Sequence, residues 1–271
     1  MGPIAPAPRC RRMIHEIRRG SGRPLLLIHG LGATLRSWDP ILAPLAATRS
    51  VIAIDLPGHG QSPVEQNSET FTGLADSVEH YIGAQGLSGI DIVGSSLGAR
   101  IALELARRGG VGSVVALDPG GFWEGWERPF FKATISASVG LLKAIRPTLP
   151  TLCANAAGRT ALLAQLSFRP WALDGPMVAE ELGHFATTPT VRPLIRDLAD
   201  GPGQRGPAAP GTGEIVIGWG RHDRLCFPQQ AKRACAAFPS ARMHWFERSG
   251  HFPMWDQPEE AIKVILDATK G

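Results

Sequence analysis

The sequence predicts an α/β protein whose doubly wound, mostly parallel sheet is interrupted by one helical insertion. Short, continuous apolar runs alternate with longer amphipathic stretches up to residue 118, and the same alternation resumes at residue 214. Continuous apolar runs are typical of strands buried on both faces, and strands that alternate with helices favour βαβ crossovers. A chain of 271 residues that is 44% hydrophobic has enough apolar material for one large core.

The predicted elements follow from these patterns in chain order. An apolar run at 13–17 predicts an antiparallel strand ahead of the parallel ones. Parallel strands are predicted at the runs that precede Gly- or Pro-containing turns, namely 25–28, 51–54, 90–93, 114–117, 214–218 and 242–246. Helices are predicted where apolar residues recur at three- and four-residue spacing, namely 38–47, 71–85, 97–108, 228–237 and 258–268.

The chain therefore divides into three segments. Residues 1–118 and 214–271 form the two parts of one core, and residues 119–213 form a helical insertion between them. The insertion ends in residues 201–213, where eight of thirteen positions are Gly or Pro, a composition that predicts a flexible linker.

Charge and cysteine content favour neither a nucleic-acid partner nor a metal site. The net charge is +4, but seven arginines and one glutamate lie within residues 1–36, so the excess is not spread over a folded face. The four cysteines lack the spacing of zinc or redox pairs.

The chain has no membrane-spanning apolar run and no apolar core of a signal peptide. We expect a soluble cytoplasmic monomer or homodimer.

The chemistry is indicated by Gly94-Ser95-Ser96-Leu97-Gly98, a G-x-S-x-G pattern between a predicted strand and a predicted helix. A very tight strand-to-helix turn exposes the serine hydroxyl above the sheet and tolerates only small residues two positions to either side. Ser96 meets this condition, whereas Ser95 is flanked by Val93 and Leu97. The pattern predicts Ser96 as a nucleophile at a helix N-terminus.

A serine nucleophile needs a base and an orienting acid, which follow in the order Ser, Asp, His in this motif class. Asp223 comes shortly after the predicted strand at 214–218, and His251 comes shortly after the strand at 242–246. We predict that His251 deprotonates Ser96 and that Asp223 fixes the tautomer of the imidazole.

Five segments in a fixed order resemble the α/β-hydrolase fold, from about residue 13 to the C-terminus. They are LLLIHGLGAT, IDLPGHGQSP, VGSSLGAR, WGRHDRLCFP and SGHFPMWDQPEE. The resemblance implies an oxyanion hole formed by the backbone N–H groups of Leu31 and Leu97. It implies that the insertion is a cap after the sixth strand. It also offers Asp118 as an alternative acid, one strand earlier than Asp223.

The insertion begins with aromatic residues that suggest an apolar pocket over the nucleophile. Side chains expected to bind substrate are Trp123, Trp126, Phe130, Trp171 and Trp255. The sequence has no GxGxxG after a strand, no P-loop and no HExxH, so we expect no cofactor and no metal.

The expected function is hydrolysis of small to medium apolar carboxylic esters through an acyl-enzyme on Ser96. Carbon–carbon bond hydrolases of ring-cleavage products and cofactor-free haloperoxidases have the same triad and stay as alternatives. GHFPMWD resembles the former, although His29-Gly30-Leu31-Gly32 replaces their typical serine-glycine loop. A non-catalytic ligand-binding protein of this fold is the alternative from another class.

Overall fold

The computed structural model describes residues 14–270 and contains one seven-stranded sheet. The spatial order is β1-β3-β2-β4-β5-β6-β7, and every neighbouring pair is parallel except β1 with β3. The strands are β1 (Glu16–Arg19), β2 (Pro24–Ile28), β3 (Ser50–Ile54), β4 (Asp91–Ser95), β5 (Val114–Leu117), β6 (Ile215–Gly220) and β7 (Arg242–Phe246).

Eleven α helices lie within the described residues. They are α1 (Asp39–Ala46), α2 (Phe71–Ala84), α3 (Leu97–Arg108), α4 (Glu127–Ile145), α5 (Leu149–Ala154), α6 (Ala156–Leu163), α7 (Gly175–Thr187), α8 (Val191–Asp200), α9 (Gln230–Ala237), α10 (Pro253–Asp256) and α11 (Pro258–Ala268). Short 3₁₀ turns lie at Leu35–Trp38, Arg146–Thr148 and Pro170–Ala172.

Helices cover both faces of the sheet, and the strands alternate their side chains between the two layers. Leu26 and Ile28 of β2 pack with α2 and α3, whereas Leu25 and Leu27 pack with α1 and α11. All four side chains are fully buried, because a parallel sheet between two helical layers leaves no face in water. The predicted doubly wound α/β fold is confirmed.

Some predicted boundaries were wrong. The antiparallel strand is Glu16–Arg19 and not 13–17, and residue 13 lies outside the described residues. A 3₁₀ turn at Leu35–Trp38 precedes α1, because Pro40 at the start of the helix sets its N-terminus there. The insertion leaves the sheet after β5, so within residues 14–270 it follows the fifth strand and not the sixth.

The insertion between β5 and β6 contains α4 to α8. Its Gly/Pro-rich final segment has neither helix nor strand, as its composition predicts. Hydrogen bonds nevertheless fix this segment to the core, from Gln204 N–H to Gly121 O (2.8 Å) and from Ala209 N–H to Ala106 O (2.9 Å). The two ends of the insertion therefore meet beside α3.

Replacing Gly98 by Ala should destabilise the fold. An added Cβ would lie against the carbonyl oxygen of Ile28, which belongs to the backbone of β2 and cannot move aside. We expect Gly98→Ala to lower the free energy of unfolding by about 1–3 kcal/mol or more, measured by urea denaturation. Gly83→Ala in α2 is the matched control, because a Cβ there meets nothing within 4 Å and should stabilise by about 0.5–1 kcal/mol. Equal stabilities of the two variants would contradict this packing.

Candidate active site

Ser96 occupies the single residue between β4 and α3, with φ 54° and ψ −110°. This left-handed backbone is unusual for a residue with a side chain. The turn is possible because Gly94 and Gly98 come into contact across it, where a Cβ on Gly94 would collide with the backbone of Gly98. Ser96 N–H donates to Leu117 O of the adjacent β5 (2.9 Å), which anchors the turn to the sheet.

The structure brings Ser96, His251 and Asp223 into one hydrogen-bonded chain. His251 Nε2 lies 2.9 Å from Ser96 Oγ, and His251 Nδ1 lies 2.7 Å from Asp223 Oδ2. The second carboxylate oxygen of Asp223 accepts the N–H groups of Leu225 (2.8 Å) and Cys226 (3.0 Å), which holds the acid in place. His251 and Asp223 are buried, so water does not compete for these bonds.

Two backbone N–H groups next to Ser96 have the properties of oxyanion donors. Leu97 N–H begins α3, and Leu31 N–H lies in the loop after β2. That loop passes close to the nucleophile, since a Cβ on Gly30 would lie 3.3 Å from Ser96 Cβ. Within residues 14–270, neither N–H has a hydrogen-bond acceptor. Both are therefore free to bind a negative oxygen.

Asp118, the alternative acid, does not contact His251. Its Oδ1 accepts Gly220 N–H (2.8 Å), and its buried Oδ2 has no hydrogen-bond partner among the described residues. Burial, together with the neighbouring charge of Asp223, raises the pKa of Asp118 well above its usual range. Asp118 therefore lies behind Asp223, and Asp223 alone of the two bonds His251.

Ser96 and His251 open into a cavity of about 290 Å³ between the core and the insertion. Most of the wall is apolar, and helices of the insertion supply much of it. Representative lining side chains are Phe131, Ile135 and Leu142 from α4, Leu163 from α6, and Leu182 and Phe185 from α7. A cavity of this size and polarity suits a small to medium apolar substituent.

Of the five aromatic residues predicted to bind substrate, Trp123 and Trp255 line the cavity. Trp126, Phe130 and Trp171 do not. Trp126 is 58% exposed and packs on Phe130, and Trp171 is 52% exposed. Phe130 precedes the cavity residue Phe131 by one position, and one helical residue turns the side chain by roughly 100° to another face.

A carboxyl group in the cavity wall was missed from the sequence. Glu181 of α7 is buried, and its Oε1 accepts the hydroxyl of Thr34 (2.7 Å) in the segment that follows the Leu31 loop. Burial raises the pKa of Glu181 to about 7, with smaller contributions from Glu180 and Asp55, while the bonds from Thr34 lower it. A glutamate at helical spacing gives no sequence signal that distinguishes it from a solvated one.

Within residues 14–270, one group of side chains brings possible metal ligands together. Asp223, Cys226 and His251 bring ligand atoms within 4.8 Å of one another. Coordination through Asp223 and His251 Nδ1 would break the bond between them, and burial raises the pKa of the Cys226 thiol, which opposes the thiolate that a metal prefers. The donor set fits the hydrogen-bonded triad better than a metal site.

Comparison with known proteins identifies the family. The family model for the alpha/beta hydrolase family matches residues 25–264, and the chain belongs to that family. An uncharacterised protein of Mycobacterium tuberculosis is 28% identical over 98% of this chain and 83% of its own length. A 2-hydroxy-6-oxononadienedioate/2-hydroxy-6-oxononatrienedioate hydrolase of Dechloromonas aromatica is 25% identical over 94% of this chain and 89% of its own.

Solved structures agree on the fold. The esterase EaEST from Exiguobacterium antarcticum superposes with a TM-score of 0.76 at 18% identity, covering 95% of this chain and 96% of that chain. Among the described residues, no helix is both long and apolar enough to cross a membrane.

The raised pKa of Glu181 makes stability depend on pH. The folded state holds the proton of Glu181 more tightly than the unfolded chain does. The contribution of this proton to the free energy of unfolding is therefore complete below pH 4.5 and is lost as the pH rises through about 7. Glu181→Gln should match the wild type at pH 4.5 and exceed it at pH 8 by up to about 3 kcal/mol in the free energy of unfolding.

Urea titrations at several pH values measure this difference. Glu180→Gln is the control, because Glu180 is 41% exposed and its pair with Arg36 at 3.5 Å should contribute less than about 1 kcal/mol at any pH. A pH-independent difference between Glu181→Gln and the wild type would show that Glu181 does not titrate in this range.

Proposed function

We propose that this alpha/beta hydrolase is a serine esterase that cleaves small to medium, largely apolar carboxylic esters. The observation that carries the proposal is the continuous chain of hydrogen bonds from Ser96 through His251 to Asp223, at 2.9 and 2.7 Å, at the floor of an apolar cavity. The esterase neighbours support the fold that this activity uses. The substrate is a small molecule, and the reaction needs neither a metal nor a cofactor.

In the proposed mechanism, His251 Nε2 takes the proton of Ser96 as Oγ attacks the ester carbonyl. The carbonyl oxygen becomes negative and accepts the N–H groups of Leu31 and Leu97. The tetrahedral intermediate collapses when His251 gives its proton to the departing alkoxide, which leaves as the alcohol. Water then attacks the acyl-enzyme with His251 again as base, which releases the acid and restores Ser96. Asp223 stabilises the imidazolium in both halves.

The insertion serves as the cap in this proposal. Its helices α4, α6 and α7 supply apolar side chains to the cavity wall, which excludes water and limits the size of the acyl or alcohol group. Residues 1–118 and 214–271 then form the catalytic core, and residues 119–213 determine which substrate fits.

Carbon–carbon bond hydrolysis is the second candidate. The Dechloromonas relative, named as a hydrolase of 2-hydroxy-6-oxo dienedioates, favours it at 25% identity. The loop residues His29-Gly30-Leu31-Gly32 oppose it, because they replace the serine-glycine loop expected of such hydrolases. Haloperoxidase activity and ligand binding without turnover stay as expectations from the shared fold.

The esterase proposal is tested with 4-nitrophenyl esters of increasing acyl length. The wild type should hydrolyse the short and medium esters and react with a fluorophosphonate, which labels an activated serine. Ser96→Ala should lose at least about 10³-fold in kcat and should not be labelled. Turnover that survives Ser96→Ala would exclude the mechanism. A wild type that hydrolyses none of the esters, but cleaves a ring-cleavage product, would favour the second candidate.

The assignment of the acid is tested by two matched asparagine variants. Asp223→Asn should lower kcat by about 10⁴-fold, because the amide stabilises the wrong tautomer of His251. Asp118→Asn should lower kcat by less than about tenfold, since Asp118 does not bond His251 and an amide oxygen still accepts Gly220 N–H. The reverse order of effects, with both variants folded by circular dichroism, would move the role to Asp118.

A further inference from the structure

One part of the cavity wall carries hydrogen-bond donors that the protein leaves without acceptors. Arg100 lies one helical turn after Ser96 in α3, and Trp123 lies at the start of the insertion; both line the cavity. Both side chains pack against the consecutive glycines Gly120 and Gly121. A Cβ on Gly120 would touch the Trp123 ring at 3.4 Å, and one on Gly121 would lie 2.8 Å from Arg100 Nε.

The guanidinium of Arg100 is buried with one acceptor. Arg100 is 2% exposed, Nη2 donates to Pro202 O (2.6 Å), and Nε and Nη1 have no partner among the described residues. The face of the group stacks on the Phe71 ring at 3.9 Å. Burial lowers the pKa of Arg100 to about 10, so the side chain stays charged at neutral pH.

No carboxylate of the described residues forms an ion pair with Arg100. The two nearby acids that raise its pKa are Asp197 and Glu104, and both are engaged elsewhere. Asp197 accepts Phe71 N–H (2.7 Å), and Glu104 accepts the side chains of Arg107 and Arg108. A buried and unpaired cation is expensive, so its presence in a cavity wall calls for an anion from outside the chain.

Trp123 provides an independent observation at the same place. It is 5% exposed, and its indole Nε1–H is buried without an acceptor among residues 14–270. The ring stacks on Phe131 at 4.7 Å, which fixes its orientation. Three donor nitrogens on two rigidly held side chains that line the cavity with Ser96, namely Arg100 Nε and Nη1 and Trp123 Nε1, therefore lack acceptors.

We propose that Arg100 and Trp123 form a subsite for a carboxylate group of the substrate. A carboxylate supplies both the missing negative charge and several acceptor positions, whereas a neutral carbonyl supplies only acceptors. The inference rests on the proposed esterase function and refines it, because the preferred ester is largely apolar but carries one free carboxylate.

The test compares substrates that differ only in this charge. For the acyl side, mono-4-nitrophenyl succinate, glutarate and adipate are paired with 4-nitrophenyl butanoate, pentanoate and hexanoate. For the alcohol side, 4-carboxyphenyl butanoate is paired with its methyl ester at the ring carboxyl. In at least one pair the wild type should favour the carboxylate by roughly 10- to 100-fold in kcat/KM, the range of charged hydrogen bonds. The pair that shows the preference identifies whether the acyl part or the alcohol part of the substrate carries the carboxylate that binds.

Variants attribute the preference to the subsite. Arg100→Met should reduce the ratio of the paired kcat/KM values by roughly 10- to 100-fold, and Trp123→Phe, which keeps the ring, by about three- to tenfold. The ratio cancels any general loss of activity or folded protein. Arg100→Lys should retain part of the preference. Arg128→Met is the matched control, because Arg128 bonds Gly201 O (3.1 Å), next to the Pro202 O that Arg100 bonds, but does not line the cavity.

Two results would overturn the subsite while leaving the esterase intact. The first is a wild type that hydrolyses the neutral esters but favours the carboxylate in none of the pairs. The second is a preference that Arg100→Met and Trp123→Phe leave unchanged. If instead no ester of either kind is hydrolysed, the esterase proposal itself fails.

Discussion

The strained backbone of Ser96 is the constraint on which the rest of the site depends. A non-glycine residue at φ 54° costs about 1–3 kcal/mol and persists only where its surroundings enforce it. Here β5 accepts its N–H through Leu117 O, and its own carbonyl accepts Arg100 N–H of α3 (3.0 Å). The strain places Oγ above the edge of the sheet and Leu97 N–H beside it, so the proposed nucleophile and one of the proposed oxyanion donors come from one turn.

The parallel sheet explains why residues far apart in the chain could be predicted as one site. Ser96, Asp223 and His251 follow the carboxyl ends of β4, β6 and β7, and these ends lie at one edge because the strands run in the same direction. A continuous apolar run identifies such a strand, and the polar residue after it then has a known location. The fold and these three positions therefore follow from local patterns. The start of β1 and the 3₁₀ turn before α1 do not, because they depend on tertiary pairing and on one proline.

The residues that line the cavity could not be predicted in this way. The insertion is helical, so it has no sheet edge at which the ends of successive elements meet. Phe130 and Phe131 are adjacent in α4, and only packing against the core determines which one faces the cavity. Arg100 and Glu181 were missed for a related reason. A charged residue on a helix predicts a solvated face, and the burial of these two side chains follows only from the packing of the insertion on the core.

The insertion also forms hydrogen bonds to the loop that carries His251 and to the segment next to the Leu31 loop. His251 N–H donates to Leu166 O (2.8 Å), and the buried carboxylate of Asp256 accepts Gly250 N–H, Phe168 N–H (both 2.8 Å) and the hydroxyl of Ser167 (2.6 Å). On the other side, α7 reaches the Leu31 loop through Glu181 and Thr34. The insertion is thus bonded to the loop of His251 and to the loop of Leu31, so a shift of its helices would alter the proposed proton transfer and the proposed oxyanion binding together.

The charges in the cavity wall favour the same chemistry. Below pH 7 Glu181 is mostly neutral, whereas Arg100 is charged throughout the neutral range. These two side chains therefore contribute net positive charge to an apolar, water-poor space in which charges interact more strongly than in water. The tetrahedral intermediate places a new negative charge on the oxygen between Leu31 and Leu97. In the proposed complex the substrate carboxylate neutralises Arg100 in both the ground state and the intermediate. The added stabilisation of the intermediate therefore comes from the N–H groups of Leu31 and Leu97, which is the condition for catalysis and not only for binding.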